Sequence, residues 1–249
     1  MDRKGNTLTK NLLATLFWVA VWHILAVSMG NTLLLPTPVQ VVKRLWELMA
    51  MESFWKTAVM SIGRILMGAV AALVLGVVLA VMTTTSSLLQ ALVEPLMTAV
   101  QATPVASITI LVLIWLERDY VPVLICAMMI LPVVWNNVCV GIRTTDPKLL
   151  EMAKVYRLGK IQILRRIYVP SVMPYFRAAC SSGLGLGWKA GIAAEVLTVP
   201  KASIGKMISE SKLYLMTEEL FAWTLVVVVL SLLLQKIMLR ILGGRKGRA

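Results

Sequence analysis

Residues 58–82 read AVMSIGRILMGAVAALVLGVVLAVM, twenty-five residues carrying one charge, Arg64. A bilayer core about 30 Å thick takes about 20 apolar residues of helix, because each residue rises ~1.5 Å. The stretch therefore reads as a membrane span. Comparable segments cover 12–29, 88–116, 120–140, 172–198 and 220–242, the last with an uncharged, nearly all-apolar run at 225–234. Pro95 and Pro104 interrupt the third segment and predict a bent or two-piece helix. The fifth is the least apolar.

Composition agrees: of 249 residues 59% are hydrophobic and 15% charged, against about 25% charged in a soluble domain. No long polar stretch marks a second unit, so the expectation is one all-α, polytopic membrane domain, 1–249, with about six spans. Ala26-Val27-Ser28 after a basic head also imitates a signal cleavage site; a retained first helix is the expectation.

The net charge of +13 raises the question of nucleic acid, and its distribution answers it. With six spans, Arg3, Lys4, Lys10, Arg143, Lys148, Lys154, Arg157, Lys160, Arg165, Arg166, Lys236, Arg240, Arg245, Lys246 and Arg248 share one side. The other side balances Lys43, Arg44, Lys56, Arg118, Lys201, Lys206 and Lys212 against seven acidic residues. Basic loops stay cytoplasmic, so both termini are expected there and no nucleic-acid partner is needed. Outside, 36–51 reads as an amphipathic helix along the interface, with Val39, Val42, Leu45, Trp46 and Met49 on one face.

The loop 142–170 has a design of its own. Asp146 before Pro147 is a helix start. Leu149, Leu150, Ala153 and Tyr156 repeat at helical spacing, Gly159 permits a turn, and Ile161, Ile163, Leu164 and Ile167 begin a second short helix that Pro170 is expected to end. A basic loop lying on anionic headgroups is the plain reading.

The residues match something more specific. Glu151, Ala153 and Pro170 fall at the spacing of the EAA loop, and this chain resembles the permeases of binding-protein-dependent ABC importers. Leu34-Leu35-Pro36-Thr37-Pro38, Ser61-Ile62-Gly63-Arg64 opening the second span, Asp146-Pro147, Trp188-Lys189 and Ala193-Ala194-Glu195-Val196-Leu197 look like the nitrate, sulfonate and taurine branch. Met152 and Val169 depart from the pattern, and the family's glycine falls on Arg157, so Gly159 is expected to make the turn instead.

The resemblance implies a type I ABC importer permease fold in a prokaryotic cell membrane, a second permease copy, an extracytoplasmic solute-binding protein and ATP-binding cassette subunits. The loop would dock on that ATPase through Glu151, Ala153, Arg157, Leu158 and Gly159. ATP and Mg belong to the partner, since no G-x-x-x-x-G-K-[ST] phosphate cradle occurs in the chain. The solute expected is small and anionic.

Charges inside spans are costly and mark pathways or packing pairs. Lys189 and Glu195 are the deep candidates, about 240° apart at 100° per residue and so unable to pair with each other; Arg64 and Glu94 are expected only to snorkel. Gln101 and Thr103 join the pathway candidates, because a helix break frees backbone groups that are tolerated beside a cavity, and Asn136 and Asn137 join them. Gly183, Gly187 and Gly191 follow a doubled G-x-x-x-G spacing for close helix packing.

No catalytic or metal set is expected. His23 is the only histidine, which excludes an H-E-x-x-H site and makes an intramembrane hydrolase a poor reading; Cys126, Cys139 and Cys180 lack metal-like spacing. A secondary transporter or channel uncoupled from ATP is the alternative, though no internal repeat supports it.

Overall fold

A computed structural model describes residues 3–242, which are helical with no strand among them. The first helix, α1 (Arg3–Met29), is followed by α2 (Pro38–Met49), α3 (Glu52–Thr85), α4 (Ser87–Ala102), α5 (Val105–Val112), α6 (Val121–Arg143), α7 (Pro147–Val155), α8 (Lys160–Ile163), α9 (Val169–Thr198), α10 (Ile204–Leu213) and α11 (Thr217–Leu242). Arg245, Lys246 and Arg248 lie outside the described residues.

Length and apolarity qualify three helices to cross a membrane, α3, α6 and α11, and a fourth span if α4 and α5 count as one. The expected six thus include two weaker members. The described apolar part of α1 is short, Leu13–Met29, and α9 carries Arg177, Lys189, Glu195 and four glycines.

The centre is a layer of α3, α6 and α9. Ile65, Ala69, Ala72 and Ala80 of α3 meet Cys126, Ile130, Val134 and Val138 of α6 and Ala179, Leu184, Trp188 and Ile192 of α9. Small residues set the spacing. A Cβ on Gly187 would run into the Ile130 side chain and the Cys126 sulfur, one on Gly191 would reach within 2.9 Å of Ile65, and one on Gly183 within 3.3 Å of Ile130. Without an apolar driving force between helices in lipid, close backbone approach of this kind supplies the attraction.

Thr37 and Gln40 form a reciprocal capping box on α2. The apolar residues of α2 split between two faces: Val41 and Leu48 are buried, while Val39, Val42 and Trp46 are exposed. The single face expected for 36–51 is thus divided: Val39, Val42 and Trp46 point outward, while Leu45 and Met49 pack against the core beside Val41 and Leu48. Arg44 ties α2 to α11 through Glu219 at 2.7 Å, and the hydrogen bonds it donates to Glu219 and Glu47 raise its pKa further, so it stays charged.

Helix α1 is held near its end, by Trp22 stacked on Phe221 of α11 with centroids 5.8 Å apart and by buried Ala26. His23 is exposed.

Pro170 does not end a helix, contrary to expectation. From Lys160 the chain runs through α8 and a π-helical turn, Leu164–Tyr168, directly into α9. The Val169 N–H reaches the Leu164 carbonyl, five residues back. The wider turn shifts the ladder where Pro170 has no N–H to give, and the helix passes through.

Candidate functional site

The third span breaks where the prolines placed it. Pro95 stays inside α4, whereas Thr103-Pro104 separates α4 from α5 with a bend of 103°. Beyond the break, Ile108 of α5 packs with Val121 and Ile125 of α6 and Ala190 and Ala194 of α9. An apolar plug thus covers one end of the α4–α6 pair.

Below it lies a polar cleft of about 230 Å³, lined by Gln90, Glu94, Thr98 and Gln101 of α4 and Trp135, Asn136, Cys139 and Arg143 of α6, among others. Gln101 and Asn136, both named from the sequence, line this cleft together. Thr103 is at the break, with its hydroxyl turned back to the Ala99 carbonyl, and the Asn137 amide donates to Val133 on its own helix at 2.8 Å; neither lines the cleft. Glu94 and Arg143 were not expected there. The signal was present, because 90, 94, 98 and 101 repeat at helical spacing and make one face of a membrane helix polar.

Glu195 has a different role from the one expected of a pathway residue. It is fully buried; its Oε2 accepts from Ser61 Oγ at 2.7 Å and from the Gly205 N–H at 3.2 Å. Its Oε1 has no hydrogen bond and faces Arg64 Nη1 at 3.5 Å. Arg64 does not snorkel: 7% exposed, it also donates to Asp119 at 2.9 Å and to the carbonyls of Lys201 and Ala202. The Ile204 N–H in turn donates to Ser61.

The cluster fixes the N-terminus of α10 against α3 and α9, with the carboxylate at the positive end of the helix. Only glycine fits at 205, since a Cβ there would meet the Glu195 backbone. Val199 and Ala202 in the connecting loop take left-handed backbone, a strained choice for non-glycine residues.

Lys189 is on the opposite side of α9, exposed with Ser182, Leu186 and Ala193. Among the described residues it has no ion-pair partner.

The loop tip is built by α7 and the turn after it. Asp146 accepts from the Lys148 N–H at 2.9 Å and Pro147 opens the helix. At the other end the Leu158 N–H bonds to Ala153 and the Arg157 N–H to Lys154, a Schellman pattern whose left-handed residue is Arg157, at φ 53°. The turn expected at Gly159 is thus made by Arg157. Gly159 has φ −66° and opens α8, and a Cβ on it would meet nothing within 4 Å. Ala153 is buried, while Glu151, Arg157 and Gly159 are exposed and Leu158 is half-buried.

Residues 72–245 match the family of inner-membrane components of binding-protein-dependent transport systems. The chain belongs to this family. It is similar to the taurine transport system permease protein TauC of Escherichia coli (strain K12), 23% identical over 92% of this chain and 85% of that protein. It is also similar to the nitrate import permease protein NrtB of Leptolyngbya laminosa, 24% identical over 78% and 73%. A crystal structure of an amino acid ABC transporter with histidines shares the fold, at a TM-score of 0.56 and 14% identity over 74% of this chain and 88% of that one. The family member described here is a multi-pass ABC importer permease, similar to permeases whose names give sulfonates, taurine and nitrate.

Proposed function

We propose that the α4–α6 cleft is this chain's share of the solute pathway, and that a second permease copy completes it. The cleft itself carries the reading: a polar stripe on a membrane helix, Gln90 to Gln101, cannot be left facing hydrocarbon and requires water or protein over it. Lys189, charged and without a partner, meets the same requirement and would attract an anion such as nitrate or a sulfonate.

In this reading an extracytoplasmic binding protein delivers a small, mainly anionic solute. The termini are cytoplasmic, and α7 with its Arg157 turn docks on a separate ATPase that uses ATP and Mg. Glu151, Arg157 and Leu158 contact it, and buried Ala153 supports them. This chain hydrolyses nothing itself. What supports the coupling is the unbroken helix from Lys160 through α9, which leaves no slack between loop and membrane body.

Uptake in proteoliposomes containing the assembled importer tests the pathway. Gln101→Leu with Asn136→Leu should lower solute uptake at least tenfold, a loss of about 1.4 kcal/mol at the transition state, while the ATPase still co-purifies. Unchanged uptake would remove the cleft from the pathway.

A further inference from the structure

On a different face of α6 from the polar cleft, Val138 and Ile142 form the floor of a second cavity of about 470 Å³. Its walls are the end of α3, with Val77 and Val81, and the π turn and start of α9, with Leu164, Tyr168, Val172 and Phe176. Thr84 and Thr85 on its rim donate back to the Ala80 and Val81 carbonyls of their own helix, and apart from these hydroxyls and Tyr168 the lining is apolar. Few polar partners are left there for water or a polar solute.

The occupant must be apolar along its length, yet the end of the groove is basic. Arg165 and Arg166 belong to the π turn between the lining residues Leu164 and Tyr168, and both are exposed. Arg165 is one turn before the lining residue Val169 on the same helix face. Helix α1 of a second copy would bring the basic head Arg3, Lys4 and Lys10 against these arginines if it entered in the same sense. A phosphate-bearing headgroup complements them.

We infer that the groove holds an acyl chain of an anionic glycerophospholipid of the cytoplasmic leaflet, with Arg165 and Arg166 at its phosphate. The inference rests on the cytoplasmic orientation of the loop given above and not on what the pathway carries. The lipid would bridge α3 to the π turn through which the coupling loop enters the membrane body. It is there a structural part of the coupling route.

The importer complex in nanodiscs of phosphatidylcholine, with or without phosphatidylglycerol, provides the test, with retained lipid counted by native mass spectrometry. Val81→Trp with Val172→Trp, filling the groove, should abolish retention of both lipids. Arg165→Gln with Arg166→Gln should keep a lipid bound but lower the preference for phosphatidylglycerol roughly tenfold or more. Equal retention in the filled variant, or an unchanged preference in the arginine variant, overturns the assignment. If the filled variant does not fold, a photo-crosslinker at Val81 decides: capture of phospholipid supports the site and capture of a second permease chain overturns it. ATPase co-purification from the same preparation reports separately on the proposed function, since lipid can be retained with or without it.

Discussion

Ser61 on α3 donates to Glu195 on α9 across 2.7 Å, inside the bundle and with both residues fully buried. The same carboxylate faces Arg64 and receives an α10 N–H. Removing one partner of a buried pair strands the other, at a cost of about 3–5 kcal/mol. Glu195→Ala should therefore lower the yield and melting temperature of the purified permease sharply, and Glu195→Gln, which keeps the Ser61 hydrogen bond, should do less harm. Equal, wild-type melting for both would remove the structural role.

Lys189 should behave in the opposite way. It is exposed and unpaired on α9, so Lys189→Gln should leave melting and assembly unchanged while weakening uptake of an anionic solute several-fold. A stability loss comparable to that of Glu195→Ala would show that Lys189 is a packing residue after all.

At the loop tip the strain is at Arg157. Arg157→Gly should stabilise the turn by about 1 kcal/mol, the usual penalty of a left-handed non-glycine residue, as measured by thermal unfolding. Gly159→Ala, with ordinary backbone and open space around it, should change neither melting nor ATPase co-purification. A larger effect at 159 than at 157 would contradict the geometry of the turn.

Gly187 tests the helix contact. Gly187→Val places its side chain into Ile130 and should destabilise the bundle by about 1–3 kcal/mol, as overpacking does. Ile130→Ala in the same chain should recover part of the loss. Failure of any rescue would mean that Gly187 is needed for its backbone rather than for its lack of a side chain.

Cys139 gives the cleft a reporter. Cys139 is 5% exposed and lines the polar cavity, whereas Cys126 and Cys180 are fully buried. A small thiosulfonate reagent applied from the cytoplasmic side should modify Cys139 before the other two, and bound solute should slow the reaction. Preferential modification of Cys126 would place the cleft away from water.

The longest spans were legible because hydrophobic length is a local property, and so was the helix start at Asp146, where the cap and its target are two residues apart. The break at Pro104 was legible for the same reason. Arg64 was misjudged because its partners, Asp119 and Glu195, are distant in sequence and only the fold brings them near. The Arg157 turn was misassigned by following glycine, the residue that turns usually prefer. In the cleft, Gln101 stood out as a polar residue beside a break and Asn136 as one inside an apolar span, while Glu94 and Arg143 needed the α4–α6 contact to acquire a meaning.

The passage of the helix through Pro170 has a mechanical consequence. A continuous helix of nearly 40 residues, a contour of roughly 60 Å at 1.5 Å per residue, begins at Lys160 beside the Arg157 turn and ends at the Glu195 cluster. A tilt imposed at one end is felt at the other as a swing, amplified by distance, with the α3 and α6 contacts at Gly183, Gly187 and Gly191 as its fulcrum. One rocking beam can then loosen the outer clasp as its inner handle is pulled.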